Sequence, residues 1–84
     1  MNTDELRVLI LRITRINGKA GTTAACIRAQ IRTEDKSVSE KRIDESIAYL
    51  VDRGFLRESK SKVSAMMRLR IAPDGIDFLD EEGF

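Results

Sequence analysis

The chain carries one stretch that dictates how its second half must turn: Tyr49-Leu50-Val51-Asp52-Arg53-Gly54-Phe55-Leu56, followed after a charged interval by Arg68-Leu69-Arg70-Ile71-Ala72-Pro73-Asp74-Gly75. An apolar helical stripe ends at Leu50 and Val51. Gly54 stands where a helix closes on a left-handed residue, a conformation glycine adopts without a Cβ penalty. Phe55 is then expected to fold back onto the last helical turn. Alternating apolar and charged residues on either side of the interval read as a two-stranded hairpin. Pro73 restarts a helix, because its missing N–H costs nothing at the first helical position.

Length and composition limit what can surround this unit. With 84 residues the chain is expected to form one domain, residues 1–84, burying roughly two-thirds of its unfolded surface. Nearly every large apolar side chain is then needed in the core, and little is left to enclose a catalytic cavity. A hydrophobic fraction of 42% and a charged fraction of 35% describe a folded, well-solvated domain. The longest unbroken apolar run, Val8 to Leu11, is far below membrane-spanning length, and Asp4 and Glu5 stand where a secretory signal has basic residues. A cytoplasmic location without membrane contact is the expectation. Cys26 has no second cysteine to pair with, and histidine is absent, so neither a disulfide nor a zinc site is expected and Cys26 reads as a small helix residue. No Gly-rich phosphate loop is present, and no base stands beside a serine to activate it; the chain is expected not to be an enzyme and to need no cofactor. Asp80, Glu81 and Glu82 read as a solvated tail rather than as metal ligands.

The net charge is only +1, but the charges are unevenly placed. Between Gly54 and Ile71 the cations Arg57, Lys60, Lys62, Arg68 and Arg70 face a single acid, Glu58. From Ala72 onward every charged residue is acidic: Asp74, Asp77, Asp80, Glu81 and Glu82. A basic hairpin beside an acidic tail suggests a polyanionic partner on one side, although two ordinary solvated surfaces would give the same pattern.

Along the chain, Thr3 is expected to cap a first helix running to about Asn17, with Leu6, Leu9, Ile10, Ile13 and Ile16 on its buried face. Val8 and Leu11 fall outside that face, either as an exposed contact for a partner or as positions covered by a neighbouring element. Gly18 to Gly21 reads as loop or a very short strand. Thr22 or Thr23 caps a second helix of two to three turns with Ala24, Ile27 and Ile31 on one side. Ser39 caps a third, and Val38 with Ile43 matches a hydrophobic staple that sets the angle at which the chain enters the helix. Ile43, Ile47, Leu50 and Val51 form its buried face, while Lys41, Arg42, Glu45, Ala48 and Tyr49 lie opposite. Strands are expected over Phe55–Ser59 and Met66–Ile71, joined by a long mobile tip. Ile76 and Leu79 should face inward from the last helix.

This α+β order resembles the winged helix-turn-helix superfamily, in particular small bacterial or phage regulators of the MarR, PadR and ArsR type. The resemblance is carried by Leu50-Val51-Asp52-Arg53-Gly54-Phe55-Leu56 and by Ile71-Ala72-Pro73-Asp74-Gly75, where Ala72 replaces the usual threonine cap. It covers Leu6 to Leu79. It implies a single winged-helix domain of three helices, a β-hairpin wing and a short C-terminal helix, with the helix-turn-helix at about residues 22–53, the wing at about 55–71 and the last helix at about 73–82.

The resemblance further implies a transcriptional regulator that binds double-stranded DNA, its third helix in the major groove and its wing on a phosphate backbone. Carried onto this sequence, Lys41, Arg42, Glu45 and Tyr49 become groove-facing candidates, and Ser37 and Ser39 become hydroxyl donors to phosphate. Arg57, Arg68 and Arg70 on the ribbon with Lys60 and Lys62 at its tip become backbone contacts. Acids outnumber bases on the third helix, which weakens base readout there. Alanine at Lys60, Lys62 and Arg68 is expected to lower affinity for all sequences alike, and Arg42→Ala to alter preference among them. A homodimer is expected, with Val8, Leu11, Phe78 and Phe84 as its contacts and no metal involved. The alternative is a winged helix that docks a protein partner without binding DNA.

Overall fold

Three of the four helices begin at a side chain able to satisfy one of their first free N–H groups. In the computed structural model, which describes residues 1–60 and 67–84, helix α1 spans Thr3–Asn17. Its cap is Asn2 rather than the expected Thr3: Asn2 Oδ1 accepts the Glu5 N–H at 2.8 Å while Asn2 Nδ2 donates to Glu5 Oε1 at 2.8 Å. Asparagine outranks threonine as a cap, and the reciprocal bond to Glu5 adds a second tie. A 3-10 turn, Gly18–Ala20, follows. Helix α2, Ala24–Glu34, is capped by Thr23, and helix α3, Glu40–Asp52, by Ser39. Val38 and Ile43 are both fully buried beside that cap, as the staple requires.

Gly54 ends α3 as the sequence indicates, at a φ of +81°. Its N–H donates to the Val51 carbonyl at 3.1 Å, and the Phe55 N–H donates to the Leu50 carbonyl at 2.9 Å, the paired bonds that close a helix on a left-handed residue. The Phe55 N–H is thereby committed to the helix. Strand β1 accordingly starts one residue later than expected, at Leu56, and runs to Lys60. It pairs antiparallel with strand β2, Met67–Ile71, in the register Leu56 to Ile71, Arg57 to Arg70, Glu58 to Leu69, Ser59 to Arg68 and Lys60 to Met67. Thr22 adds a single bridge to Leu69 on the other edge of β2, with bonds of 2.8 and 2.7 Å. The loop Gly18 to Gly21 thus forms a 3-10 turn rather than a short strand, and the bridge falls just after it, at Thr22. The expectations for Lys62, Met66 and the wing tip fall on residues 61–66, outside the described residues.

Helix α4, Pro73–Glu81, begins with Pro73 in its first turn, and Ala72 gives it no side-chain cap. The backbone compensates: the Ala72 N–H donates to the Phe55 carbonyl at 3.0 Å and the Ala72 carbonyl accepts from Gly75 and Ile76. Leu79 is buried. Ile76 is not, at 37% exposure, and Gly75 and half-buried Phe78 take the inward positions instead.

The core gathers Leu6, Ile10, Leu11 and Ile13 of α1 with Ile27, Ile31, Val38, Ile43, Ile47, Leu50, Leu56, Leu69 and Leu79. Helix α1 lies at its centre, in contact with α2, α3, α4 and β2. Packing on several sides corrects the single stripe expected for α1. Leu11 is covered by its neighbours at 1% exposure, Val8 is half-buried, and Ile16 is 83% exposed in the last turn beyond the core. Thr14 takes an interior place because its hydroxyl donates to the Ile10 carbonyl at 2.7 Å, which removes the cost of burying it.

Candidate nucleic-acid interface

Helix α3 turns Ile43, Ser46, Ile47 and Leu50 inward, so helical geometry leaves Lys41, Asp44, Glu45, Ala48 and Asp52 on its exposed side. Two candidates flank that side. Arg42 is half-buried, and its Nη2 donates to the Met1 carbonyl at 3.0 Å. Tyr49 is half-buried beneath the Arg7 guanidinium, 3.6 Å from the ring centroid, with Arg53 at 5.3 Å. Both side chains are tied toward α1 or to their own helix, leaving Lys41 and Glu45 as the freely presented candidates on α3. Lys41 Nζ lies 4.0 Å from Glu45 Oε1.

The serine candidates sit in the turn between α2 and α3. Ser39 Oγ accepts the Arg42 N–H at 3.2 Å, which leaves its own proton free to donate to a phosphate. Ser37 is committed differently: its hydroxyl and its N–H both donate to Asp35 Oδ1. These bonds, the hydroxyl first, hold the Asp35 carboxyl below its ordinary range, with the N-terminal amine adding to the effect. A depressed folded-state pKa contributes stability that is fully present above the unfolded pKa and is lost as pH falls through the folded one. Asp35→Asn is therefore expected to flatten the loss of stability below about pH 4, measured by urea unfolding across that range.

Acids on α3 face arginines on α2. Arg28 Nη1 lies 2.8 Å from Asp44 Oδ1, and Arg32 Nη1 lies 3.2 Å from Glu40 Oε1. Arg28 and Arg32, four residues apart, share one side of α2, and Lys36, in the turn that follows the helix, continues the row. They line a shallow cavity of about 640 Å³ together with Ala25, Ala29, Thr33 and Glu40. Arg28, Arg32 and Lys36 do not stand out in the charge of their segment, which also holds Glu34 and Asp35. Their spacing of four is the signal in the sequence that could have found them. Nearby, Cys26 is exposed in the first turn of α2, and a hydrogen bond with the Thr23 hydroxyl pulls its thiol pKa down.

On the hairpin, Arg57, Arg68 and Arg70 share the side of the ribbon opposite buried Leu56 and Leu69, as the register requires. Arg68 Nη1 donates to the Ala20 carbonyl at 3.3 Å. Lys60 is the last residue of β1 and belongs to the Leu56 side. The ribbon thus divides the wing cations between its faces.

The four dimer candidates come together in one groove. Val8, Leu11, Phe78 and Phe84 line a cavity of about 350 Å³ with Tyr49, Leu50 and Phe55, rimmed by Asp4, Arg7 and Glu82. Phe55 and Phe78 pack with ring centroids 5.6 Å apart. Arg7 Nε is buried and has no hydrogen-bond partner among the described residues. No group of His, Cys, Asp and Glu among the described residues is arranged to hold a metal, and among them no helix is long and apolar enough to cross a membrane.

No family model and no curated protein matches the chain. Among solved structures, a transcriptional regulator from Clostridium thermocellum superposes with a TM-score of 0.75 over 92% of this chain and 75% of its own, at 20% identity. The fold is a winged helix. Its three helices α1, α2 and α3, the hairpin of β1 and β2 and the short helix α4 follow one another in that order.

Proposed function

We propose that this winged helix binds double-stranded DNA and acts as a small transcriptional regulator of the MarR, PadR or ArsR type. The observation that carries the reading is the row formed by Arg28 and Arg32 on α2 and Lys36 in the turn after it, set directly beside the exposed side of α3. A phosphate of a duplex approaching α3 can replace Asp44 and Glu40 as the arginines' partner through charge-assisted hydrogen bonds of the same kind. The Ser39 hydroxyl and Lys41 add contacts at the start of α3, with Arg68 and Lys60 on the wing. Base readout falls to Lys41 and Glu45, and Arg42 acts by holding the N-terminus against α3.

The regulator works as a homodimer through the groove containing Val8, Leu11, Phe78 and Phe84. A two-fold interface must be self-complementary, and this one has an apolar centre with Arg7 on its rim and Asp4 and Glu82 to receive the partner's arginine. Light scattering at high protein concentration is expected to give twice the chain mass, falling to the monomer on Phe78→Asp. A monomer mass for the parent at the same concentration rejects the dimer.

The acidic side of α3, with Glu40, Asp44, Glu45 and Asp52, favours a second reading in which the domain docks a protein. Fluorescence anisotropy of a labelled random duplex separates the two. Binding whose log-log salt slope lies around −3 to −5, as expected when about four or five phosphates are neutralised, supports the DNA reading. No binding even at low salt moves the function to protein docking.

A further inference from the structure

The strand register places Arg57 directly opposite Arg70 on one face of the hairpin. Cross-strand neighbours have Cβ atoms about 4.5–5.5 Å apart, and like charges at that spacing repel. The last turn of α1 and the 3-10 turn after it bring two more cations to the same place. Arg15, Lys19, Arg57 and Arg70 line a cavity of about 320 Å³ with Gly18, Ile71 and Ile76, and no carboxylate among the described residues lines it. Among the same residues, Arg15 alone of these cations has an acidic contact: its Nη1 lies 3.7 Å from Asp80 Oδ1 and 3.0 Å from the Phe84 carbonyl. In a chain with a net charge of +1, such a concentration leaves repulsion unrelieved at the base of the wing.

We propose that this pocket holds a phosphate group, with Arg57 and Arg70 as its paired donors and Lys19 and Arg15 closing the cage. A doubly charged anion between the two guanidinium groups turns the repulsion into charge-assisted hydrogen bonds, and Arg forks suit its tetrahedral oxygens. The pocket is lined by residues of α1, its following turn, the wing base and α4; none of the α2 and α3 residues of the proposed DNA face belongs to it. The phosphate comes either from DNA flanking the main contact or from a small phosphorylated molecule. The pocket stands without the DNA reading; only the first source rests on it.

The test follows thermal unfolding of the full chain and of the Arg57→Gln/Arg70→Gln variant, with and without pyrophosphate at matched ionic strength. Without the anion the variant is expected to melt higher than the parent, because the repulsion is gone. With it, the parent gains stability and the variant does not, its affinity weakened at least about tenfold, as expected when a charged pair of donors is removed. Lys19→Gln, in an exposed turn, should weaken pyrophosphate in the same direction and serves if the double variant folds poorly. Equal stabilisation of parent and variants by pyrophosphate, or none in the parent, overturns the pocket.

Duplex titrations identify the source. Weaker duplex binding by the double variant assigns the phosphate to DNA, whereas unchanged duplex binding without a pyrophosphate response assigns it to a small molecule. A parent that binds duplex but ignores pyrophosphate rejects the pocket and leaves the DNA reading intact; the converse result does the opposite.

Discussion

Gly75→Ala will lower the thermal midpoint of this domain by about 10 °C, even though alanine is the better helix former. A Cβ at Gly75 would clash with the Phe55 carbonyl oxygen and stand 2.9 Å from Ile71 Cγ1. The carbonyl cannot retreat cheaply, because it accepts the Ala72 N–H at 3.0 Å, the bond that anchors α4 to the chain leaving α3. Overpacking of this kind costs about 1–3 kcal/mol, and a domain of this size loses roughly 4–8 °C per kcal/mol. The gain in helix propensity, about 1 kcal/mol, offsets only part of it. Calorimetry of the variant checks this directly, and a midpoint at or above the parent's would mean that α4 is free to move away from Phe55.

The second large effect concerns binding. Arg28→Ala/Arg32→Ala/Lys36→Ala is expected to reduce duplex affinity about 100-fold at low salt, and to lower the magnitude of the salt slope by roughly 2.7, about 0.9 for each phosphate no longer neutralised. Two contributions add. The variant lacks three phosphate donors, and it leaves Asp44 and Glu40, now without their arginine partners at 2.8 and 3.2 Å, as bare negative charge facing the duplex. The reduction should be the same for all sequences, whereas Lys41→Ala should change preference among them. Because Arg28 and Arg32 also join α2 to α3, thermal unfolding of the variant accompanies the titration. Exposed pairs of this kind contribute little to stability, so a variant that keeps its fold and its affinity would remove the α2 row from the interface.

Much of this architecture is legible in the residues, and the exceptions share a cause. Thr23, Ser39, Gly54 and Pro73 act through bonds or dihedral preferences confined to a few neighbouring positions, and each marks a helix end where the sequence indicates it. The expectations for Leu11, Ile16 and Ile76 rest on periodicity, which reports that a helix has an apolar side but not how many elements surround it. Helix α1 is enclosed from several directions, so Leu11 and Thr14 are buried and Ile16 is left outside. Gly75 shows the same divide. Its place in the Ile71 to Gly75 segment is visible in the chain, but its reason is the Phe55 carbonyl, about twenty residues away in sequence.

The candidate interface is less legible. The wing cations stand out by segment composition, yet the sequence does not show that the ribbon separates Lys60 from Arg57, Arg68 and Arg70, or that Arg57 and Arg70 meet the turn after α1. On a helical wheel Arg42 and Tyr49 face outward. Tertiary partners, the Met1 carbonyl and the Arg7 guanidinium, draw them aside. Arg28 and Arg32 are obscured for the opposite reason: their charge is balanced by acids on the next helix, and only the packed pair shows a basic row beside an acidic one.

The most direct test of the DNA reading is amide chemical-shift mapping of the full chain titrated with a short random duplex at low salt. The largest changes are expected at Arg28, Arg32, Lys36, Ser39 and Lys41, with Arg68 following, and little change at Asp77 or Glu81 on α4. Shifts confined to α4 and the groove beside it, or no shifts at all while the protein remains folded, would contradict it.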